Sequence, residues 1–107
     1  MADISNPKID KFLQLKQRMP NSELPRWSLA QAYEEANDFA LAREEYEDLV
    51  TLKPDYCLAW LKLGTLLLRV FEDEDAARKA LVEAHRLAVA QGHNAPRLEA
   101  ELLLAEL

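Results

Sequence analysis

A chain of 107 residues with a formal net charge of −6 is sized for one domain, and its acidic balance excludes the basic face that nucleic acids and anionic membrane surfaces require. Half of the residues are hydrophobic, so a core is attainable; Ala, Leu, Glu, Lys and Arg outnumber β-branched residues, and only two glycines occur, which favours helix throughout. The lone Cys57 excludes an internal disulfide and a cysteine-based metal site, no apolar run nears the ~20 residues of a membrane span, and Met1–Asn6 lacks a signal pattern, so the expected location is the cytoplasm.

Asn6-Pro7 reads as a helix start, with Asn6 capping and Pro7 at the first helical place. Ile9, Phe12, Leu13, Leu15 and Lys16 follow at helical spacing, so a first helix is expected over residues 6–19, closed by Met19-Pro20-Asn21-Ser22. Helix two is expected over 23–36. Asn37 then tolerates a left-handed turn and Asp38 is placed to cap helix three, over 39–53. Pro54 stops that helix and Asp55 is placed to cap helix four, over 56–71. Helix five is expected from Asp75 to Gln91. Gly92 closes it, and Asn94 is placed to cap a sixth helix from Ala95 to the end, carrying Leu98, Leu102, Leu103, Leu104 and Leu107. Pro25 and Pro96 fall in first turns, where a missing N–H costs little.

The chain also repeats. Residues 23–56 and 57–91 superpose with a period of about 34, a spacing that marks stacked helix pairs. Seventh places hold Leu29 and Leu63, eighth places the small Ala30 and Gly64, and eleventh places Tyr33 and Leu67. These lie on one face of a first helix, where the small residue lets a second helix approach. Ala42 and Tyr46 face back from that second helix, as do Ala77, Leu81 and Ala84 in the next unit; Pro54 closes the first unit. On these residues the chain resembles the tetratricopeptide repeat (TPR) family. The second unit departs from the pattern: its turn, Phe71-Glu72-Asp73-Glu74-Asp75, has one extra residue, Glu74 stands where the first unit has the bulky Phe39, and no proline ends it. Phe12, Leu15 and Pro20 match the second helix of a repeat, so residues 6–19 read as a half repeat shielding one end, and 95–107 as a helix closing the other. The register of that last helix is ambiguous by one residue, so its faces stay unassigned.

The residues offer no chemistry. His85 and His93 lie eight apart, not at the three or four that brings two ligands together on a helix. No Ser/His/Asp or Cys/His set has workable spacing, and Cys57 reads as a buried helix cysteine. Glu72-Asp73-Glu74-Asp75 lacks the glycine and distal glutamate of a calcium loop and reads as a solvated turn that favours the start of helix five. Glu44-Glu45-Glu47-Asp48 reads as a solvent face, and Trp60 as core packing between neighbouring helices.

The resemblance implies an all-α, right-handed solenoid of antiparallel helix pairs, about six helices in one domain, without enzyme activity or cofactor. It implies a protein or peptide partner held in a concave groove. The inner places of the family fall on Leu24, Trp27, Ser28, Gln31, Glu34 and Glu35 in the first unit, and on Leu58, Leu61, Lys62, Thr65, Leu68 and Arg69 in the second. Apolar area from Leu24, Trp27, Leu58, Leu61 and Leu68, with Glu34 and Glu35 beside it, suits an apolar or amphipathic segment bearing basic residues. The set of Lys, Asn and Arg with which some TPR proteins grip a terminal carboxylate is missing: its places hold Trp27, Gln31 and Lys62. Two alternatives stay open: a monomeric binding module with an open groove, or a structural subunit that self-associates as a homodimer through the groove or a terminal helix, with the inner places covered by the sixth helix or by the second copy.

Overall fold

The computed structural model describes residues 6–107 and contains, among them, six α-helices and no strand. They are α1 (Pro7–Arg18), α2 (Glu23–Glu35), α3 (Phe39–Leu52), α4 (Cys57–Arg69), α5 (Glu74–Gln91) and α6 (Asn94–Leu104). Each lies within two residues of the bounds expected from sequence at its start and, except α6, at its end; the last three residues of the chain leave the helix. The expectations for Met1–Ser5 fall outside the described residues.

The ends of the helices follow local chemistry. The Asn6 side chain accepts from the Ile9 amide at 3.2 Å and Pro7 opens α1. At the end of α2, Asn37 adopts φ 60°, the Asp38 amide donates to the Tyr33 carbonyl at 2.8 Å and the Asn37 amide to the Glu34 carbonyl at 3.0 Å, a Schellman closure. Gly92, at φ 71°, closes α5 with the same pair of bonds, His93 to Ala88 at 2.9 Å and Gly92 to Val89 at 3.3 Å. Three expected caps are corrected. Asp38 sits at the N-cap of α3 but its side chain makes no capping bond. Tyr56, not Asp55, is the N-cap of α4, and His93, not Asn94, that of α6, neither with a side-chain bond. A cap not expected from the sequence forms at Asp73, which accepts from the Ala76 amide at 3.2 Å, and α5 starts one residue earlier than expected.

The two helix pairs α2/α3 and α4/α5 share the largest interfaces; α1 packs on α2, α3 on α4, and α6 on both α5 and α4. One cluster of buried side chains, including Leu29, Tyr46, Leu49, Leu63 and Leu67, joins the two pairs. A second, made by Leu61, Leu81, Ala84, Ala100 and Leu103, fastens α6 to the second pair. Each fully buried leucine contributes about 1.5–3 kcal/mol, so the inter-pair clusters dominate the energetics of so small a stack. Gly64 is where the α4/α5 approach is tightest: a Cβ there would lie 2.7 Å from Leu81 Cγ.

The turn between α4 and α5, with its extra residue, holds Glu72 at φ 53° and, just before it, Phe71. Its ring packs against the first cluster, with the Arg43 guanidinium 4.9 Å above it. Trp60 also packs against the clusters, its Nε1 donating to the Pro54 carbonyl at 2.8 Å. The acidic run on α3 is not a uniform solvent face. Glu44, Glu47 and Asp48 are exposed, but Glu45 is buried and accepts both contacts of the Lys16 ammonium, at 2.9 and 3.1 Å. That pair, and Lys8 with Glu35 at 2.7 Å, tie α1 to the stack although α1 has no fully buried residue of its own.

Candidate protein-binding face

Position-for-position, α2 and α4 present their inner residues very differently. On α2, Leu24 in the first turn is 64% exposed. Three residues on, Trp27 is half-buried: it stacks on Tyr56 at 5.4 Å between centroids and meets Tyr46 edge-on at 6.1 Å. It is thus part of an aromatic group that joins α2, α3 and the start of α4, rather than an open anchor. Tyr46 lies wholly inside, and its hydroxyl donates to the Glu34 carboxylate. Burial, then the hydrogen bond to Glu34 and the charge of that carboxylate, push the Tyr46 phenol far above its ordinary value. Glu34 is also 3.9 Å from the Lys62 ammonium, so it bridges α3 and α4.

On α4, Leu58 is exposed, whereas Leu61 is 3% exposed and belongs to the cluster under α6. Leu61 is therefore corrected from groove surface to core. Leu68 is half-buried against both clusters, and the Thr65 hydroxyl donates to the Leu61 carbonyl at 2.8 Å, closing on its own helix. Arg69 makes a two-pronged contact with Glu106, Nη2 to Oε2 at 2.8 Å, which ties it to the last turn of the chain. The last part of the chain thus follows α4 from Pro96, beside Leu58, to Glu106, at Arg69, and still leaves Leu58 exposed.

What stays open lies between α2 and the middle of α4. Gln31, Glu34, Glu35 and Lys62 line a cavity of about 240 Å³. A second, of about 120 Å³, lies on the other side of Gln31 and Glu35, walled by Ser28 and Ala32 and by Lys8 and Phe12 of α1. A third, of about 210 Å³, opens beside Leu58, with Tyr56, His93 and Pro96 around it. The participation of α1 and of the α5–α6 corner had no signal in the sequence, because those residues lie far apart along the chain. Of the twelve inner places, Ser28, Gln31, Glu34, Glu35 and Lys62 are brought together with Leu24 and Leu58 exposed on the same two helices; Trp27, Leu61, Thr65, Leu68 and Arg69 are taken up by the fold.

The remaining polar groups are engaged in holding helices. His85 Nε2 meets Glu101 Oε2 at 2.8 Å, and Arg97 donates to the same oxygen at 2.8 Å; those two hydrogen bonds, His85 first, hold the Glu101 carboxyl below the usual carboxylate range. The Cys57 thiol donates to the Ala84 carbonyl at 3.3 Å, and burial raises its pKa, which leaves it a poor nucleophile. Among the described residues no three His, Cys, Asp or Glu side chains gather as a metal site, and no helix is long and apolar enough to cross a membrane.

No protein-family model and no curated protein matches the sequence. Solved structures do resemble it. A tetratricopeptide repeat domain protein of Salinibacter ruber is 24% identical, with a TM-score of 0.73 over 79% of this chain and 93% of its own. A Bordetella parapertussis protein solved in solution is 22% identical, with a TM-score of 0.77 over 95% of this chain and 88% of its own. With six helices stacked as pairs around Ala30 and Gly64, and with these neighbours, the chain is a small TPR-like protein in fold.

Proposed function

We propose that the chain is a non-catalytic interaction module that holds a segment of another protein on the face formed by α2 and α4. The observation that carries this reading is the cavity between Gln31, Glu34, Glu35 and Lys62, with Leu24 and Leu58 exposed at the helix starts on the same two helices. Large aliphatic side chains held outward on a rigid helix, next to polar groups that fix orientation, are the ingredients of a peptide site. The aromatic group behind them, Trp27 on Tyr56 and Tyr46, fixes the two helices that carry the site. Both signs of charge are present, Glu34 and Glu35 on α2 against Lys62 on α4, so the ligand that fits is an amphipathic segment with basic residues along its α2 side.

The test is capture of partners by the tagged chain from its own cells, beside the double variant Leu24→Glu/Lys62→Glu and the control Leu98→Glu on the opposite end of the stack. A partner retained by the wild type and the control but lost by the double variant supports the site. Equal capture by all three moves the binding surface away from α2 and α4.

A further inference from the structure

α1 is fastened by charge where its counterpart in the first full repeat is fastened by packing. One repeat period on, Lys8 corresponds to Ala42, Phe12 to Tyr46 and Lys16 to Val50. Ala42, Tyr46 and Val50 are buried, whereas Phe12 is half-buried and the Lys8 and Lys16 side chains are 55% and 26% exposed. Among the described residues α1 is the one helix that buries no residue; even α6 buries Ala100 and Leu103. Its apolar hold is the partial burial of Ile9, Phe12 and Leu15, the first two against the first cluster. The rest of its hold is Lys8 on Glu35 and Lys16 on Glu45. An exposed pair such as Lys8–Glu35 adds little to stability. An enclosed pair gains little net, because its attraction offsets the cost of taking both charges out of water. Lifting α1 away returns water to Lys16 and Glu45 together, so the opening strands neither charge. Between α1 and α2, Met19, Pro20 and Asn21 are exposed and outside both helices, so α1 swings without breaking a helix.

We propose that α1 is a displaceable helix: it leaves its seat on α2 and α3 as a unit, and an amphipathic helix of another protein takes that seat by setting a lysine on Glu45 and an aromatic side chain four places before it, as Lys16 and Phe12 do. Glu45 selects the occupant. It is the one buried charged side chain among the described residues, and Lys16 is its ion-pair partner. With α1 gone, a carboxylate stands in the seat. A helix that covers it with an aliphatic or acidic residue leaves that charge enclosed and unpaired, whereas a lysine restores the pair. The chemistry of the incoming helix is therefore that of α1 itself, which occupies the seat in the closed state. The cavity between Gln31, Glu34, Glu35 and Lys62 takes no wall from α1, so the exchange does not rest on the ligand of the α2–α4 face.

Two measurements on the full chain test this. In native-state hydrogen exchange, the amides of α1 are expected to exchange together and at least ~10-fold faster than the slowest amides of α3 and α4. Equal protection of α1 and α4 would mean that α1 leaves only when the whole chain unfolds, and overturns the proposal. The second measurement follows a labelled peptide of residues 6–19 by fluorescence anisotropy. The wild-type chain holds its own α1 at an effective concentration on the order of mM and is expected to take the peptide poorly. Lys16→Glu in the chain sets like charges together and releases α1, so this variant is expected to take the peptide at least ~10-fold more tightly, with the helices α2–α6 kept by circular dichroism. A peptide carrying Lys16→Glu is expected not to bind that variant and to bind the Glu45→Lys chain instead. No uptake of the peptide by the Lys16→Glu chain, or equal uptake of both peptides, overturns the proposal. Phe12→Ser, which loosens α1 without touching the ion pair, replaces Lys16→Glu if that variant does not fold, with the same outcomes.

Discussion

Gly64 and Leu81 meet where α4 crosses α5: a Cβ on Gly64 would sit 2.7 Å from both Cγ and Cδ2 of Leu81 and 3.3 Å from its backbone nitrogen. Leu81 is wholly buried among Leu61, Ala84, Ala100 and Leu103, so its side chain has nowhere to swing. Two effects oppose each other in Gly64→Ala. Helix propensity favours alanine by about 0.8–1 kcal/mol, and overpacking costs about 1–3 kcal/mol. The clash is expected to win modestly for alanine and by several kcal/mol for Gly64→Leu. Urea melts of both variants check this; a Gly64→Leu protein as stable as wild type would mean that the α4/α5 crossing is not where it is placed.

The Lys16–Glu45 pair links the first helix to the third, with Glu45 almost enclosed and Lys16 partly open to solvent. Lys16→Met strands a buried carboxylate, for which a fully enclosed pair would give about 3–5 kcal/mol; the open lysine side reduces this to about 1–3 kcal/mol. Lys16→Met/Glu45→Gln removes the stranded charge and is expected to recover part of the loss. A double-mutant cycle read by denaturant melts separates the pair from simple packing: additive losses would show that the two side chains do not interact.

How much of this was readable in the chain depended on distance along it. Leu29, Ala30 and Tyr33 repeat as Leu63, Gly64 and Leu67, and all six are buried, because a 3.6-residue period and a small residue at a crossing are local signals. Asn37 and Gly92 announced their left-handed turns for the same reason. Glu45 did not announce its burial: within Glu44-Glu45-Tyr46-Glu47-Asp48 it looks like its neighbours, and only Lys16, 29 residues away, accounts for it. Phe71 likewise did not announce its packing on the first cluster, because the Arg43 guanidinium over its ring is 28 residues away. At the inner face the repeat identified Leu61 as surface, but which inner places stay open is decided by α6, whose register was ambiguous.

All three tyrosines, Tyr33, Tyr46 and Tyr56, have phenol pKa values raised above the ordinary value of about 10, each chiefly by burial. Above pH ~10 the unfolded chain therefore releases phenolic protons that the folded chain keeps, so folding is progressively disfavoured. The stabilisation is fully present below pH ~10 and is lost as pH rises toward the folded values. Phenolate absorbance of the native protein is expected to rise late and together with loss of helix. Tyr46→Phe should flatten this alkaline dependence while losing about 1 kcal/mol at neutral pH, since the half-exposed Glu34 keeps Lys62 and water as partners. Normal titration of all three phenols in a folded chain would contradict the enclosed aromatic group.

The sharpest separation between scaffold and surface lies within one turn of α4, at Leu58 and Leu61. Leu58 is 43% exposed and Leu61 3%. Leu61→Ala opens a cavity beneath α6 and is expected to cost about 2–5 kcal/mol, with binding affected only as far as the fold is weakened. Leu58→Ala removes outward-facing area and is expected to change stability by less than about 0.5 kcal/mol. With a partner in hand, Leu58→Ala and Leu24→Ala together should weaken binding by about 2 kcal/mol or more if these leucines anchor the ligand. Thermal melts and titration calorimetry on the same three proteins give both quantities. A Leu58→Ala/Leu24→Ala protein that melts and binds like wild type, beside a destabilised Leu61→Ala, would keep the fold as described and remove the α2–α4 face as the binding surface.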